Sequence, residues 1–547
     1  MKLCLAFSCF SSALLAQTIN VFEGNIEVTS LKKDNSADSI IVKLPNGSFG
    51  SRDASSISSF QILSISNDTI YLENGGFVKL PEDEDSDSTN EIQEFSVSPV
   101  SDTLFISGGN WVIIPGITSS QDFGFSSLLG GNGDEISKSI RQTSDGGFIA
   151  FGHSIGSAIG DISAETRDGG VDYWILKLDA KGNRMWDNLI GGNDDDWGIS
   201  FDLTNDGGYI LAGYSESHPS DDVSDAHIGN TDIWIVKLDN QGNKLWDQQI
   251  GGTNYEFGGY IRQSADGNFI VVGHSNSNNS GDVTDMSNGN YDIWVVTLDP
   301  QGNVLTNNLI GGNMDDRATE ILQTTDGGYI ILGESESSNI NDVSDTNNGA
   351  KDIWIIKLDN QGTIQWDSLI GGDMDDTPTD VIQTSDGGYI ILADSESSDT
   401  LDVTHTNKGR TDLWIVKLDP NGHIEWDNLI GGSHYDVGTS IIETTDHGFL
   451  VGAHTKSSNS GDVTHSIQGW KDDIWIVKLD TQGTILWNNL IGGQGFDFCS
   501  SIVQTNQGSF VITGYSDSSD SGDIQVNNHG QNDFWVVKLD NQGNIKD

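Results

Sequence analysis

The chain has 547 residues, with 26 Lys and Arg against 81 Asp and Glu, a net charge of −55. Such a surface repels phosphate backbones and anionic membranes, which excludes nucleic acid and favours inorganic cations or basic partners; an acidic coat that keeps the protein soluble is the plainer reading. A single ordinary core does not extend much past about 300 residues, so several domains or one large repetitive ring is expected.

Residues 1–16, "MKLCLAFSCFSSALLA", carry one early Lys, a short apolar run and small residues before Gln17. They predict a Sec-type signal peptide and a secreted, surface or periplasmic protein. A lipoprotein anchored at Cys9 would place Phe where a small residue is usual. No later run approaches the ~20 apolar residues of a membrane helix, so no membrane insertion is expected. With the leader removed, Cys499 stands alone and an intrachain disulfide is excluded. Residues 17–58 read as a β-rich segment, and residues 59–120 as two tandem hairpins, "SNDTIYLENGGFVKLP" and "VSDTLFISGGNWVIIPG", separated by the acidic spacer "PEDEDSDSTNE". They suggest a spacer or a docking module.

Residues 121–547 are repetitive. A D-x-W word ends at Trp174, Trp234, Trp294, Trp354, Trp414, Trp475 and Trp535, seven copies 60 or 61 residues apart, and paired glycines recur with the same period. Within one copy, "TEILQT", the turn "TDGG", "YIILGES", a long polar loop, "DIWIIKLD", the turn "NQGT" and "IQWDSLIGG" predict four antiparallel strands. Four-stranded units repeated around an axis make a propeller, so an all-β, seven-bladed β-propeller of four-stranded antiparallel blades is expected, preceded by a small hairpin region. The last copy lacks its fourth strand, while an orphan fourth strand, "FGFSSLLGG", precedes the first. Phe125 lies five residues before Gly130 as Trp246 lies five before Gly251, so the N-terminal strand is expected to complete the last blade.

The unit "D-x-W-I-V-K-L-D-x-x-G-x-x-x-W-x-x-x-x-G-G-x-x-x-D" resembles the bacterial seven-bladed β-propeller repeat known as SBBP over about 425 residues. The hairpin region is similar to segments of exported Bacteroidetes proteins. This resemblance implies a propeller in an exported protein and no assigned activity. A second likeness is to quinoprotein propellers, which would imply a quinone cofactor. Here, however, Asp239 precedes Gly242 by three residues and not four, and seven copies replace the usual eight. The D-x-W tryptophans, Phe125 and outer-strand residues such as Trp246 are expected to be structural, as packing between blades.

Alternate loops of a propeller lie on opposite faces. The short turns share one face, and the long loops and inter-blade loops share the other. Asp161, Asp222, Asp282, Asp342, Asp402, Asp462 and Asp523 repeat in the long loops, and Glu135, Asp196, Glu256, Asp316, Asp376, Asp436 and Asp497 between blades. Together they predict an acidic crown: the first set as candidate calcium ligands, the second as a binding face. No copy matches the contiguous calcium loop, "DLTNDG" at 202–207 coming nearest, and the alternative is that these acids accept hydrogen bonds from their own loops.

Catalysis would need blades to depart from the pattern. Departures include His153, His274 and His454 at the end of strand two, opposite Tyr214, Glu334, Asp394 and Tyr515 elsewhere, with Arg141, Arg262 and Glu443 in strand one. No zinc-ligand spacing is present. Near-identity of the blades argues against one asymmetric active site. The expected function is a non-catalytic, monomeric binding scaffold for a glycan or cell-surface protein, with no certain cofactor and calcium as the candidate ion. The alternative is a carbohydrate-active or quinoprotein-type enzyme working in the central channel.

Overall fold

The structure, a computed structural model, describes residues 124–546 except 157–158, 164–169 and 226, together with short strands before residue 123. The chain divides into units Met1–Asp122 and Phe123–Asp547. In the first, Leu63–Ser66, Thr69–Leu72 and Phe77–Lys79 form one antiparallel sheet, and Phe95–Val97, Thr103–Ile106 and Asn110–Ile113 another. The leader 1–16 and the spacer 81–91 lie outside the described residues. No helix of the described residues is long and apolar enough to cross a membrane.

The second unit is a seven-bladed propeller. Blade 2 shows the plan: Asp196–Leu203, Tyr209–Ser215, Asp232–Leu238 and Lys244–Ile250 pair antiparallel in sequence order. Blade 1 begins at Glu135–Gln142, and blades 3 to 7 begin at Glu256–Gln263, Asp316–Gln323, Asp376–Gln383, Asp436–Glu443 and Asp497–Gln504. The middle two strands are buried on both faces, which is why "YILAGYS" and "DIWIVKL" read as near-continuous apolar runs. Apolar clusters fill the space between neighbouring blades. In one of them Ile210, Ile233 and Ile235 of blade 2 meet Phe269, Val271 and Trp294 of blade 3.

The ring closes by strand exchange. Ser126–Leu129 adds antiparallel to Asp533–Leu539, with Leu128 opposite Trp535 and Leu129 opposite Phe534. It thereby supplies the fourth strand of blade 7.

Every first strand carries a bulge at its third to fifth residue, for example between Gly198 and Ser200. The extra residue shifts the alternation, and the fifth residue of each first strand comes to line the axial channel. That set is Ser139, Ser200, Tyr260, Glu320, Asp380, Ser440 and Ser501.

Candidate binding site at the channel mouth

The repeated words build the frame. The D-x-W aspartate holds the end of its long loop, Asp232 Oδ2 accepting from Ile228 N at 2.6 Å. The indole that follows is buried, and its Nε1 donates across to the outer strand: Trp234 to Asp247 at 3.2 Å, Trp354 to Asp367 and Trp414 to Asp427 at 3.1 Å. At the closure Trp535 instead donates to Ser126 Oγ at 2.9 Å, so the exchanged strand also supplies this acceptor.

The outer-strand Trp lies over the turn glycine of the next blade. A side chain at Gly242 would meet Trp186 at 2.9 Å and one at Gly302 would meet Trp246 at 2.9 Å, while these glycines hold φ of 86° and 88°. Phe125 occupies the same place over Gly182. Blade 3 has Thr306 in place of Trp, and the space over Gly362 is open.

The inter-blade acids do not form an exposed binding face. Glu135, Asp196, Glu256, Asp316, Asp376, Asp436 and Asp497 have no exposed surface. Asp196 Oδ2 accepts from Gly192 N at 2.7 Å and Ser217 Oγ at 3.0 Å, and Glu256 accepts from Gly252 N at 2.7 Å and Ser275 Oγ at 2.6 Å. The expectation of an accessible ring is corrected. The loop and strand-two hydroxyls draw the carboxylates inward, where each closes the paired-glycine turn. Burial pushes the Glu135 and Asp196 carboxyls up to about 7 and Asp316 up to about 6.

The long-loop acids are partly exposed but also engaged. Asp282, Asp342, Asp402, Asp462 and Asp523 each accept from the first paired-glycine N–H at 3.1–3.2 Å, and Asp161 does so at 3.4 Å. Asp222 is tied through its own N–H to Gly191 O at 3.1 Å. Among the described residues no three His, Cys, Asp or Glu side chains gather as a metal site requires.

Where the blades differ, the differences converge. On the long-loop face, at the channel mouth, His153 of blade 1 meets Trp197 of blade 2 at 4.8 Å between ring centroids. Trp197 stacks with Tyr214, Tyr214 meets Phe257 of blade 3 edge-on at 5.3 Å, and Phe257 stacks on Tyr255 at 5.8 Å. The arc ends at Tyr291, with Arg317 of blade 4 above its ring. Arg317 pairs with Asp315 at 2.7 Å, and Lys351 with Glu334 at 2.9 Å. A second arc runs through His454, Phe498 and Tyr515, with Phe496 stacked on Phe498 and Lys471 over Phe496. Trp197, Tyr214, Phe257, Phe496 and Phe498 are half-buried, so part of each ring remains accessible.

The three histidines sit in this collar and stay neutral, since burial holds His153 and His274 near 3 and His454 near 4. Burial pushes the Asp394 carboxyl up to about 8, and it accepts from Gly438 N at 2.7 Å. Strand two marked these positions in the sequence. Their partners at the second residue of strand one, Trp197, Phe257, Arg317 and Phe498, went unmarked, although variation between copies at that position was a readable signal.

Below the mouth the channel encloses a cavity of about 630 Å³. Its wall is asymmetric, because the blades differ where they face the axis. Arg262 donates to Glu320 at 2.9 Å and to Ser200 Oγ at 3.1 Å. Asp380 accepts from Val381 N and Ile441 N, both at 2.8 Å, and Asp202 from Leu203 N and Gln263 N at 3.0 Å. Asp202 and Asp206 of the calcium-like "DLTNDG" therefore go separate ways, Asp206 binding Lys237 at the turn. Glu443 is likewise structural, accepting from Ser385 N at 2.7 Å as Gln263 accepts from Asn205 N. Ser385, His447 and Glu443 lie together on the short-turn face, but Nδ1 of His447 meets both neighbours, so the ring cannot pass a proton from one to the other through its two nitrogens.

No family model matches the chain. A stretch of 225 residues, 39% of this chain, is 23% identical to the regulatory protein FlaEY of Caulobacter vibrioides and spans 23% of that protein's length. Among solved structures, similarity extends to a protein of unknown function from Dyadobacter fermentans (10% identity, 76% of this chain and 97% of that one, TM-score 0.40). It extends also to BamB of Moraxella catarrhalis (14%, 76% and 99%, 0.35) and to the WD40 domain of Neurospora crassa Pan2 (10%, 78% and 98%, 0.40). The propeller itself rests on the strand pairing of this chain.

Proposed function

We propose that this is an exported, non-catalytic binding propeller that takes a glycan at the channel mouth on its long-loop face. The observation that carries the reading is the aromatic arc Trp197–Tyr214–Phe257–Tyr255. Partly exposed ring faces offer apolar platforms to the C–H faces of sugars, and the adjoining Arg317, Glu334 and Lys351 offer polar groups to hydroxyls. The buried histidines, neutral at physiological pH, suit a wall better than a proton shuttle. Export rests on the leader sequence, and a monomer is the simplest assembly for a closed ring.

Glycan-array screening of the purified chain, followed by calorimetry on the best ligand, tests this reading. Trp197→Ala and Phe257→Ala should each weaken binding at least about tenfold while the melting temperature stays within a few degrees. Saturable glycan binding that survives both substitutions would move the site elsewhere, and a blank array would reject the glycan.

A further inference from the structure

The carboxylates on the first strands around the channel have donors, but among the described residues no carboxylate pairs with the guanidinium of Arg141 on the first strand of blade 1. Glu320 takes Arg262, and Asp202 and Asp380 each take two backbone N–H groups. Arg141 donates only to the carbonyl of Ile140, at 3.2 Å, and among the described residues no carboxylate lies within ion-pair distance of it. The buried Ser139 Oγ has no hydrogen-bond partner. Lys138 stands beside them on the cavity wall. Burial lowers the ordinary basicity of Arg141, and the neighbouring Arg262 adds to this. The Lys138 ammonium stays open to solvent, so a bound anion would gain most from the Arg141 guanidinium, which is half-buried and closes no ion pair.

The rest of the cavity limits what that anion can be. Two residues beyond the channel-lining position, blades 5, 6 and 7 present Ile382, Ile442 and Val503, half-buried and facing the same cavity. Asp202, Glu320 and Asp380 are close enough to act on Arg141. A dianion such as phosphate would meet these three carboxylates, whereas a single planar negative charge can pair with the guanidinium fork alone.

We propose that the axial channel binds a small monocarboxylate, its oxygens held by Arg141 and Lys138 and its apolar body lying against Ile382, Ile442 and Val503. The site is separate from the aromatic mouth and requires no reaction. Its volume of about 630 Å³ accommodates a short aliphatic or aryl acid together with water.

Calorimetric titration of the full chain with butanoate, hexanoate and phenylacetate tests this, with 1-hexanol and inorganic phosphate as contrasts. Saturable binding of the carboxylates, tighter for the longer bodies and absent for hexanol and phosphate, is the expected result. Arg141→Gln should weaken it about 10- to 100-fold, and Arg141→Lys should lose less. Arg141 closes no ion pair, so both variants should fold, which far-UV circular dichroism verifies. Ile442→Asn provides a second probe from the opposite chemistry and should weaken hexanoate more than butanoate. Trp197→Ala should leave carboxylate binding intact, which separates this site from the glycan reading. Absence of carboxylate binding, equal binding of phosphate, or binding unchanged in Arg141→Gln would overturn the proposal.

Discussion

The outer half of each blade and its innermost strand obey opposite rules. Across copies, the outer hairpin repeats the same Asp, Trp, Lys, Gly and Trp, except that blade 3 has Thr297 and Thr306 for the Lys and second Trp and Phe125 takes the second Trp's place in blade 7, and the partners recur as well: loop N–H, outer-strand carboxylate or amide, turn aspartate, neighbouring indole. At the channel-lining position of the first strand, the seven blades carry Ser, Ser, Tyr, Glu, Asp, Ser and Ser, and two residues later Arg, Asp, Arg, Leu, Ile, Ile and Val. Repetition therefore marks contacts that every blade must make with its neighbour. Departure marks positions that face the axis, where the contact between blades differs from one pair to the next, as in Arg262 with Glu320 and Asp380 with Ile441 N. On the proposed binding reading, specificity would belong at the centre and not in the repeated motif.

The sharpest way to break this comparison is at the closure, where one short segment must replace a complete outer strand. Phe125→Ala combined with Leu128→Ala removes two side chains from the inter-blade cores and should cost about 6 kcal/mol. Chemical denaturation should show a large fall in midpoint, and limited proteolysis should begin in blade 7. A loss of stability below about 2 kcal/mol would mean that blade 7 stands without the exchanged strand.

A single frame position should cost less than the closure and far more than a channel position. Trp234→Ala is expected to lose about 4 kcal/mol, from the cavity and the lost indole hydrogen bond to Asp247. Tyr260→Ala, a substitution at the axis, should lose less than about 1.5 kcal/mol. Equal losses in thermal or urea unfolding would erase the distinction drawn between the two regions.

Protons act on the frame at every blade. Glu135, Asp196 and Asp473 titrate near 7 in the folded chain, and Asp232, Asp352 and Asp412 near 6, because burial disfavours their ionised forms. Unfolded carboxyls titrate near 4, so between about pH 4 and 7 the folded state binds more protons. Stability should consequently fall as pH rises through this window, and the melting temperature should be several degrees higher at pH 5 than at pH 8. Below about pH 4 the trend should reverse. The turn carboxylates Asp206, Asp326 and Asp446, held near 2 chiefly by hydrogen bonds to their turns and to a lysine, then begin to protonate. A melting temperature that rises steadily from pH 5 to 8 would contradict the assignment of the buried acids.

Blade 3 allows the comparison to be run in reverse. Thr306→Trp would place an indole in the open space over Gly362 and should stabilise the protein by about 1 kcal/mol, seen as a higher urea midpoint. The smallest effect is expected from calcium. Asp282, Asp342 and Asp402 already accept paired-glycine N–H groups. Millimolar calcium should shift the melting temperature by less than about 1 °C relative to chelator at matched ionic strength. An upward shift of several degrees would restore the calcium reading of these loops.

Most of the frame was legible because each instruction is written many times. The common period of Trp234 and Gly251, the turn words, and the orphan "FGFSSLLGG" together specify seven blades and their closure without any long-range information. The candidate site was legible only in part. His153, His274 and His454 stood out as departures, and so did Arg141, Arg262 and Glu443. Trp197 and Phe257, which complete the mouth, Glu320, which pairs with Arg262, and Asp380, which takes two backbone N–H groups, did not. Their meaning depends on the inner-strand bulge, which shifts the alternation by one residue and is not announced by any constant residue: its third position is Ser137, Gly198, Gly258, Ala318, Pro378, Gly438 and Cys499 in turn.

Local turn chemistry and hydrophobic runs repeated seven times leave one way to bury the sheets, so the propeller, the number of blades and the segment that seals the ring all follow from the repeated words. Where the acid goes depends on contacts that form in the folded chain. Seven regularly spaced carboxylates, from Glu135 to Asp497, have the composition of a solvent-facing crown, but the hydroxyls and glycine N–H groups that surround them come from residues 4 to 21 positions away. Those donors converge only when the strands pair, and they make burial affordable for groups that would otherwise stay in water.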